Sequence, residues 1–354
     1  MIRLSICIAT LNRGAFIGET LESIIRQATD EVEIVVVDGA STDNTEEVVR
    51  GFQQRWPRLN YLRLPEKGGV DRDYDRAVVL AKGNYCWLMS DDDLLTPGAV
   101  SAVLAAAGRG FSLVIVNSEV RSADLSSVIV PRLVPLSTDR AYGARDMAAL
   151  LSDTAAYMSF IGCVVIRREL WVARERERYY GTEFIHVGVI FQSPLPDGAL
   201  ALASPGISIR AGNASWTGRY FEIWCFKWPG LIWSFPGYPD EARRRVCPRE
   251  PWRAVKILLV LRAKGAYSAC EYARWLPPRL HRRRARLVAR AIALLPGVVT
   301  NAAVLAYFRW RRPAELYGIW EFTASRFYYR TWLRGVWQGL RSHLPISFSA
   351  GGKE

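Results

Sequence analysis

Strand-like and helix-like segments alternate along the first third of the chain, and this alternation narrows the fold more than any other property. Leu4–Ala9 is an unbroken apolar run of strand length, and Thr10–Gly14 is a polar turn. Phe16, Ile17, Leu21, Ile24, Ile25 and Ala28 then recur at helical spacing. Glu33–Asp38 is a second, β-branched strand, and Val48, Val49 and Phe52 mark the next helix. Tyr61–Leu64, a helix from about Asp71 to Ala81, Tyr85–Met89, a helix over Pro97–Ala107 and Ser112–Val116 continue the pattern. Thr96 reads as the N-cap of that last helix and Pro97 as its first residue. A strand-helix repeat of about thirty residues is the mark of βαβ units, so the chain is α/β with a mostly parallel sheet. Val128–Val130 and Gly162–Ile166 read as further strands.

Two of these strands end in carboxylates. Glu33–Val37 runs into Asp38, and Tyr85–Met89 runs through Ser90 into Asp91, Asp92 and Asp93. Open α/β sheets bind ligands at the carboxyl ends of their strands. Alternation along an extended segment points Asp91 and Asp93 one way and Asp92 the other. Two carboxylates on one side repel unless a cation lies between them, and oxygen ligands favour Mg²⁺ or Mn²⁺. The competing expectation is that these residues only cap the following helix. No GxGxxG follows the first strand and no GxxxxGK[ST] occurs, which argues against a dinucleotide oxidoreductase and a P-loop NTPase.

Leu4–Arg13, the run Val35–Thr45, and Ala81–Tyr85 leading to Asp91-Asp92-Asp93 together resemble the family 2 glycosyltransferases of the GT-A fold. The runs Gly68–Asp75 and Tyr85–Asp93 look closest to the abequosyltransferase-like members that act in O-antigen assembly. The resemblance implies roles by position. Asp38 would contact the base or ribose of a nucleotide-sugar, with Asp43 a second contact. Thr10, Asn12 and Arg13 would lie at the nucleotide's edge. Asp91 and Asp93 would be the DxD pair for ribose and metal-bound diphosphate, with Asp92 in the same binding set. Blander roles are compatible: Asp43 with Glu46 forms a capping box, and Asn12 and Arg13 suit an ordinary turn. The family's usual Arg-Asn pair before the fourth strand is replaced by Tyr74-Asp75. Asp71, Asp73 and Asp75 are therefore expected either to meet sugar hydroxyls or to form a solvated acidic face paired with Arg72 and Arg76. The family also places an acceptor base about ninety residues beyond the acidic motif. Glu183 stands there and is the expected base; His186 is the alternative, as base or near the diphosphate, or else a core residue.

Charge divides the chain. Residues 1–240 hold 24 Lys and Arg against 28 Asp and Glu, a deficit of 4; residues 241–354 hold 23 against 6, a surplus of 17. Tryptophans crowd the second part of the chain, at positions 216, 224, 228, 233, 252, 275, 310, 320, 332 and 337. The apolar run Leu287–Phe308 is long enough to cross a bilayer core of roughly 30 Å. Arg290, Pro296-Gly297 and Asn301 argue instead for two shorter helices in the interface, with Arg on anionic lipid; a packed helical subdomain is the other reading. The six cysteines show no metal or disulfide spacing, so a reducing cytoplasm fits. The expectation is a GT-A catalytic domain over 1–215, with halves 1–120 and 121–215, then a basic, Trp-rich, mainly helical region over 216–354. Its function would be metal-dependent inverting sugar transfer to a lipid-linked or polysaccharide acceptor, at the inner face of the plasma membrane and without nucleic acid. The competing functions are a sugar nucleotidyltransferase and a non-catalytic donor-binding relative docked at the membrane.

Overall fold

The computed structural model describes residues 2–213 and 217–331. Trp216, Trp332 and Trp337 lie outside the described residues. In chain order the regular elements are β1 (Leu4–Thr10), α1 (Ile17–Ile25), β2 (Val32–Asp38), α2 (Thr45–Arg55), β3 (Leu59–Arg63), α3 (Val70–Leu80), β4 (Tyr85–Met89), β5 (Leu94–Leu95), α4 (Ala99–Gly108), β6 (Leu113–Arg121), β7 (Val128–Val130), β8 (Arg140–Tyr142), α5 (Met147–Thr154), β9 (Val164–Arg167), α6 (Arg168–Ala173), α7 (Ile185–Phe191) and β10 (Ala199–Arg210). They are followed by α8 (Tyr220–Glu222), α9 (Trp228–Ser234), α10 (Asp240–Val246), α11 (Val255–Lys264), α12 (Ala269–Trp275), α13 (Arg283–Leu294), α14 (Gly297–Arg311) and α15 (Leu316–Ala324).

One mixed sheet carries the first compact unit, in the order β3-β2-β1-β4-β9-β6-β10-β5, with β7 beside β6 and β8 beside β10. β3, β2, β1 and β4 run parallel, and β9 is antiparallel to both its neighbours. Alternate residues of each strand feed two cores. Cys7, Val35, Val37, Cys86 and Leu88 face one side; Ile6, Ile8, Ile34, Val36, Trp87 and Met89 face the other. Burial on both faces explains why these strands read as continuous apolar runs. Cys7, Cys86 and Cys163 are buried there as free thiols. From β1 the chain moves to β2 on one side and later to β4 on the other, so the strand order reverses at β1 and opens a crevice at the strands' carboxyl ends. The register sets Thr10 beside Asp38.

α4 begins later than expected. Thr96 spends its hydroxyl on the Pro205 carbonyl (2.9 Å), and Gly98, at φ 83°, precedes the first helical turn. The expected division near residue 215 is also redrawn by compactness. Residues up to 215 and residues 222–251 form one unit; residues 216–221 and 252 onward form a second. Within the first, Trp228, Leu231 and Ile232 of α9 and Ala242 of α10 join the core that holds α5 and α7.

The second unit is helical. Ala263, Leu305 and Phe322 make its small core, and the buried Asn301 amide donates to the carbonyls of Ala263 and Phe322, both at 3.0 Å. α13 and α14 break at Pro296 and diverge by 98°. Gly297 is needed at the break because a Cβ there would meet the Phe327 ring at 2.6 Å. Among the described residues no single helix is long and apolar enough to cross a membrane; the bent pair α13–α14 passes by length and composition.

Candidate active site

The loops after β1 and β2 are built as one piece. Asn12 stands at φ 55°, in the left-handed region that Asn tolerates. Its side-chain oxygen accepts from the Thr42 amide at 2.7 Å, and its own amide donates to the Ser41 hydroxyl at 2.8 Å. The Arg13 amide donates to the Thr45 hydroxyl at 2.9 Å. Asp43 accepts from the amides of Gly14 and Thr45, each at 3.0 Å. Burial would raise its pKa, but these bonds hold the carboxyl below its ordinary range. Asp43 therefore joins the two loops, a role neither capping nor ligand contact had suggested. Asp38 is fully buried and accepts from the Ser41 amide (2.8 Å) and the Tyr61 hydroxyl (2.7 Å). Burial and Asp38 push the Tyr61 phenol well up, so it stays a donor.

The acidic turn departs from simple alternation. Residues 91 and 92 form a bend, and Asp91 and Asp92, not Asp91 and Asp93, share a side. Both approach the Arg13 guanidinium at 3.5 Å. Asn213 donates its amide to Asp92 at 2.9 Å and accepts from Arg13 at 3.3 Å. Asp93 turns inward. It accepts from the Ser90 hydroxyl and from the Arg210 amide at 2.8 Å, while its carbonyl takes the Thr20 hydroxyl at 2.9 Å. Asp93 locks the turn, one oxygen holding the Ser90 hydroxyl and the other the Arg210 amide, so Asp92 and not Asp93 stands beside Asp91 at Arg13. The extended-strand rule fails because the strand has ended at Met89.

Burial lifts all three carboxyls. Asp91 goes to about 7, with repulsion from Asp92 added and Arg13 and Thr10 opposing it. Asp92 is raised by burial against Arg13 and Arg210, and Asp93 goes to about 8 through burial and then Asp92. Such a cluster gains by admitting a cation. Among the described residues no three His, Cys, Asp or Glu side chains form a ready cage. The donor chemistry fits Mg²⁺ or Mn²⁺ nonetheless, since such ions need only one or two protein carboxylates when phosphate oxygens complete the shell.

The acidic start of α3 is structural. Asp71 accepts from the amides of Glu183 (2.9 Å) and Ile185 (3.0 Å), and burial raises its pKa to about 6 against those bonds. Asp75 accepts from the Trp171 indole at 2.8 Å and the Tyr180 hydroxyl at 2.5 Å, and pairs with Arg176 at 2.8 Å. Asp73 is buried facing Asp38, and burial raises it to about 6. The solvated acidic face expected of these residues is not seen, since Asp71, Asp73 and Asp75 are all buried. The chain spends these carboxylates on holding the 171–185 segment, a long-range role that local spacing does not reveal.

Glu183 lines a cavity of about 270 Å³, bounded on one side by Gly68–Arg72 and on the other by Tyr180, Gly181 and Glu183 itself. Its backbone lies at φ 72°, a conformation that costs a non-glycine residue about 1–3 kcal/mol and here is held by the two Asp71 bonds. Lys227 approaches its carboxylate at 3.0 Å. His186 is placed otherwise. It is buried in α7 with Nε2 donating to the Met158 carbonyl at 2.6 Å, and burial lowers its pKa to about 4. It is a neutral core residue, which corrects the alternative base: a helix residue three positions on from Glu183 points into the core. Lys227, Arg210, Asn213 and Ser90 were missed from sequence. All but Ser90 reach the site from more than forty residues away in the chain.

Comparison with known proteins follows the same residues. Residues 5–170 match the family model described as glycosyl transferase family 2. The chain is 27% identical to the abequosyltransferase RfbV of Salmonella typhimurium over 225 residues, covering 60% of this chain and 68% of that protein. It is 31% identical over 118 residues to a GalNAc(5)-diNAcBac-PP-undecaprenol beta-1,3-glucosyltransferase of Campylobacter jejuni, covering 33% of this chain and 38% of that one. In three dimensions it resembles S. aureus TarS 1–349 with a TM-score of 0.55 at 14% identity, over 94% of this chain and 92% of the other. That likeness shows the GT-A fold.

Proposed function

Since residues 5–170 make this chain a family 2 glycosyltransferase, we propose that it moves a sugar from a nucleotide-diphospho-sugar to a hydroxyl of a lipid-linked or polysaccharide acceptor, with inversion, in O-antigen-like synthesis. The observation that carries this is the facing of Asp91 and Asp92 on Arg13 at the switch-point crevice. The names of the abequosyltransferase and the undecaprenol-linked glucosyltransferase support the acceptor class. Glu183 removes the proton of the acceptor hydroxyl as that oxygen bonds to the anomeric carbon. The bond from that carbon to the diphosphate oxygen breaks, and its electron pair leaves with the nucleoside diphosphate. Asp91 and Asp92 would hold Mg²⁺ or Mn²⁺, which when bound offsets charge on the diphosphate. Arg13 adds a fixed positive charge beside them. The walls that carry Asp38, Asn12 and Asp43 keep the nucleotide's side of the crevice in one shape. A thermal-shift screen of UDP-, GDP-, CDP- and dTDP-sugars with and without Mn²⁺ tests the reading. One nucleotide class is expected to stabilise the chain by about 2.7 kcal/mol at a hundredfold excess over Kd in the presence of Mn²⁺, and by less without it. No stabilisation by any of them would overturn it.

The second unit supports docking on an anionic membrane surface. α13 and α14 expose Leu287, Leu294, Val299 and Trp310, the last at 76%, among Arg283, Arg284, Arg290, Arg309 and Arg311. Apolar anchors beside arginines suit the interface of anionic lipid. The full chain is expected to sediment with vesicles containing anionic lipid and to be released by salt, at about 1 kcal/mol per engaged Lys or Arg. Full-length protein left in the supernatant at low salt, with vesicles in excess, contradicts this.

A further inference from the structure

We infer that Lys227 is a positioning residue for sugar transfer, holding the Glu183 carboxylate ionised and aimed into the cavity. The inference rests on reading Glu183 as the acceptor base. Its first support is the pair itself. Lys227 Nζ lies 3.0 Å from Glu183 Oε1, and both side chains are about four-fifths buried, so solvent screens the pair less than at an open surface.

The second support is the way both ends are fixed. Glu183 is held by Asp71 through its own amide and that of Ile185. Lys227 is the last residue of a π-helical turn, Ile223–Lys227, that leads directly into α9. Single π turns inside helices recur at functional sites because they re-aim the residues that follow. This one is clamped by aromatic contact. Phe184, the neighbour of Glu183, meets the Trp228 ring edge-on at 4.7 Å and lies 6.0 Å from Trp224. The same contact therefore registers the lysine against the glutamate.

The charges around Glu183 define what Lys227 does. Asp71 faces it as a like charge. Glu222 shares Lys227 at 3.8 Å, and Arg72 and Tyr180 line the same cavity. Against Asp71 and Glu222, Lys227 brings a cation into direct contact with the carboxylate. An opposite charge at this distance favours ionisation. A base that must accept a proton in the reaction has to begin without one, so the lysine sets the lower limit of the working pH range.

The test uses the full chain labelled with ¹³C at the glutamate carboxyls. The Glu183 resonance is identified by its loss in Glu183→Gln. In Lys227→Met its titration midpoint is expected to rise by about 1–3 pH units, and in Lys227→Arg to stay near that of the unaltered chain. Lys227→Gln serves as a second neutral variant should the methionine variant not fold. In parallel, release of nucleoside diphosphate is followed against pH, with the donor found by thermal shift and alkyl glycosides as acceptors. The acid limb moves upward with the midpoint, and the turnover lost near pH 6 returns at higher pH. A purely structural lysine would lower turnover equally at every pH and leave the midpoint in place; either result overturns the inference. Unimpaired turnover in Glu183→Gln overturns the reading of the base instead, whichever way the lysine variants titrate.

Discussion

Glu183→Gln is expected to slow sugar transfer by about 10²–10⁴-fold, the usual contribution of a general base, while nucleotide binding stays close to that of the unaltered chain. The amide keeps the size of the side chain and an oxygen facing Lys227, so the loop held by Asp71 has no reason to move. What disappears is the capacity to take a proton. Turnover and donor affinity are measured on the same preparation, because a loss in both would point to a collapsed loop. Normal transfer by the variant would place the base elsewhere. His186 would not inherit the role, since it donates to the Met158 carbonyl inside the core.

Asp92→Ala is expected to abolish the Mn²⁺-dependent part of stabilisation by the nucleotide, while the melting temperature without ligand changes little. Asp92 meets the side chains of Arg13 and Asn213, which can turn to other partners once it is gone. Asp93→Ala is the informative contrast. It removes the acceptor for the Ser90 hydroxyl and the Arg210 amide, and leaving a buried donor unsatisfied costs about 1–3 kcal/mol. That variant should melt several degrees lower before any ligand is added. Full Mn²⁺-dependent stabilisation of Asp92→Ala would remove Asp92 from the metal's ligands. A stable, ligand-blind Asp93→Ala would return the role to Asp93.

These contrasts mark where sequence is informative. Strands such as Glu33–Asp38 and Tyr85–Met89 and the helix near Asp71–Ala81 were legible because burial on a fixed period writes itself into local order. The location of the site was legible for the same reason, since carboxylates at strand ends announce a crevice. Which carboxylate faces it was not. Asp93 faces inward because Arg210, far along the chain, offers it an amide, and Asp75 faces inward because the Trp171 indole and the Tyr180 hydroxyl donate to it. Partners separated by a hundred residues leave no period to read. Lys227 was hidden by composition: it lies among tryptophans and arginines that resembled a membrane segment, yet residues 222–251 belong to the catalytic unit.

That excursion and return of the chain has a consequence for how the molecule is made. When the ribosome has released residue 215, every strand of the sheet is present, but the aromatic cover from α9 and the bracing of α5 by α10 are still unsynthesised. At about 5–20 residues per second, the catalytic unit waits several seconds with that apolar surface open. The interval is a window for chaperone capture or for aggregation, and it closes only after residue 251 emerges. Slow codons just after β10 would lengthen it, and a stop there would yield a sheet with its active-site lysine missing.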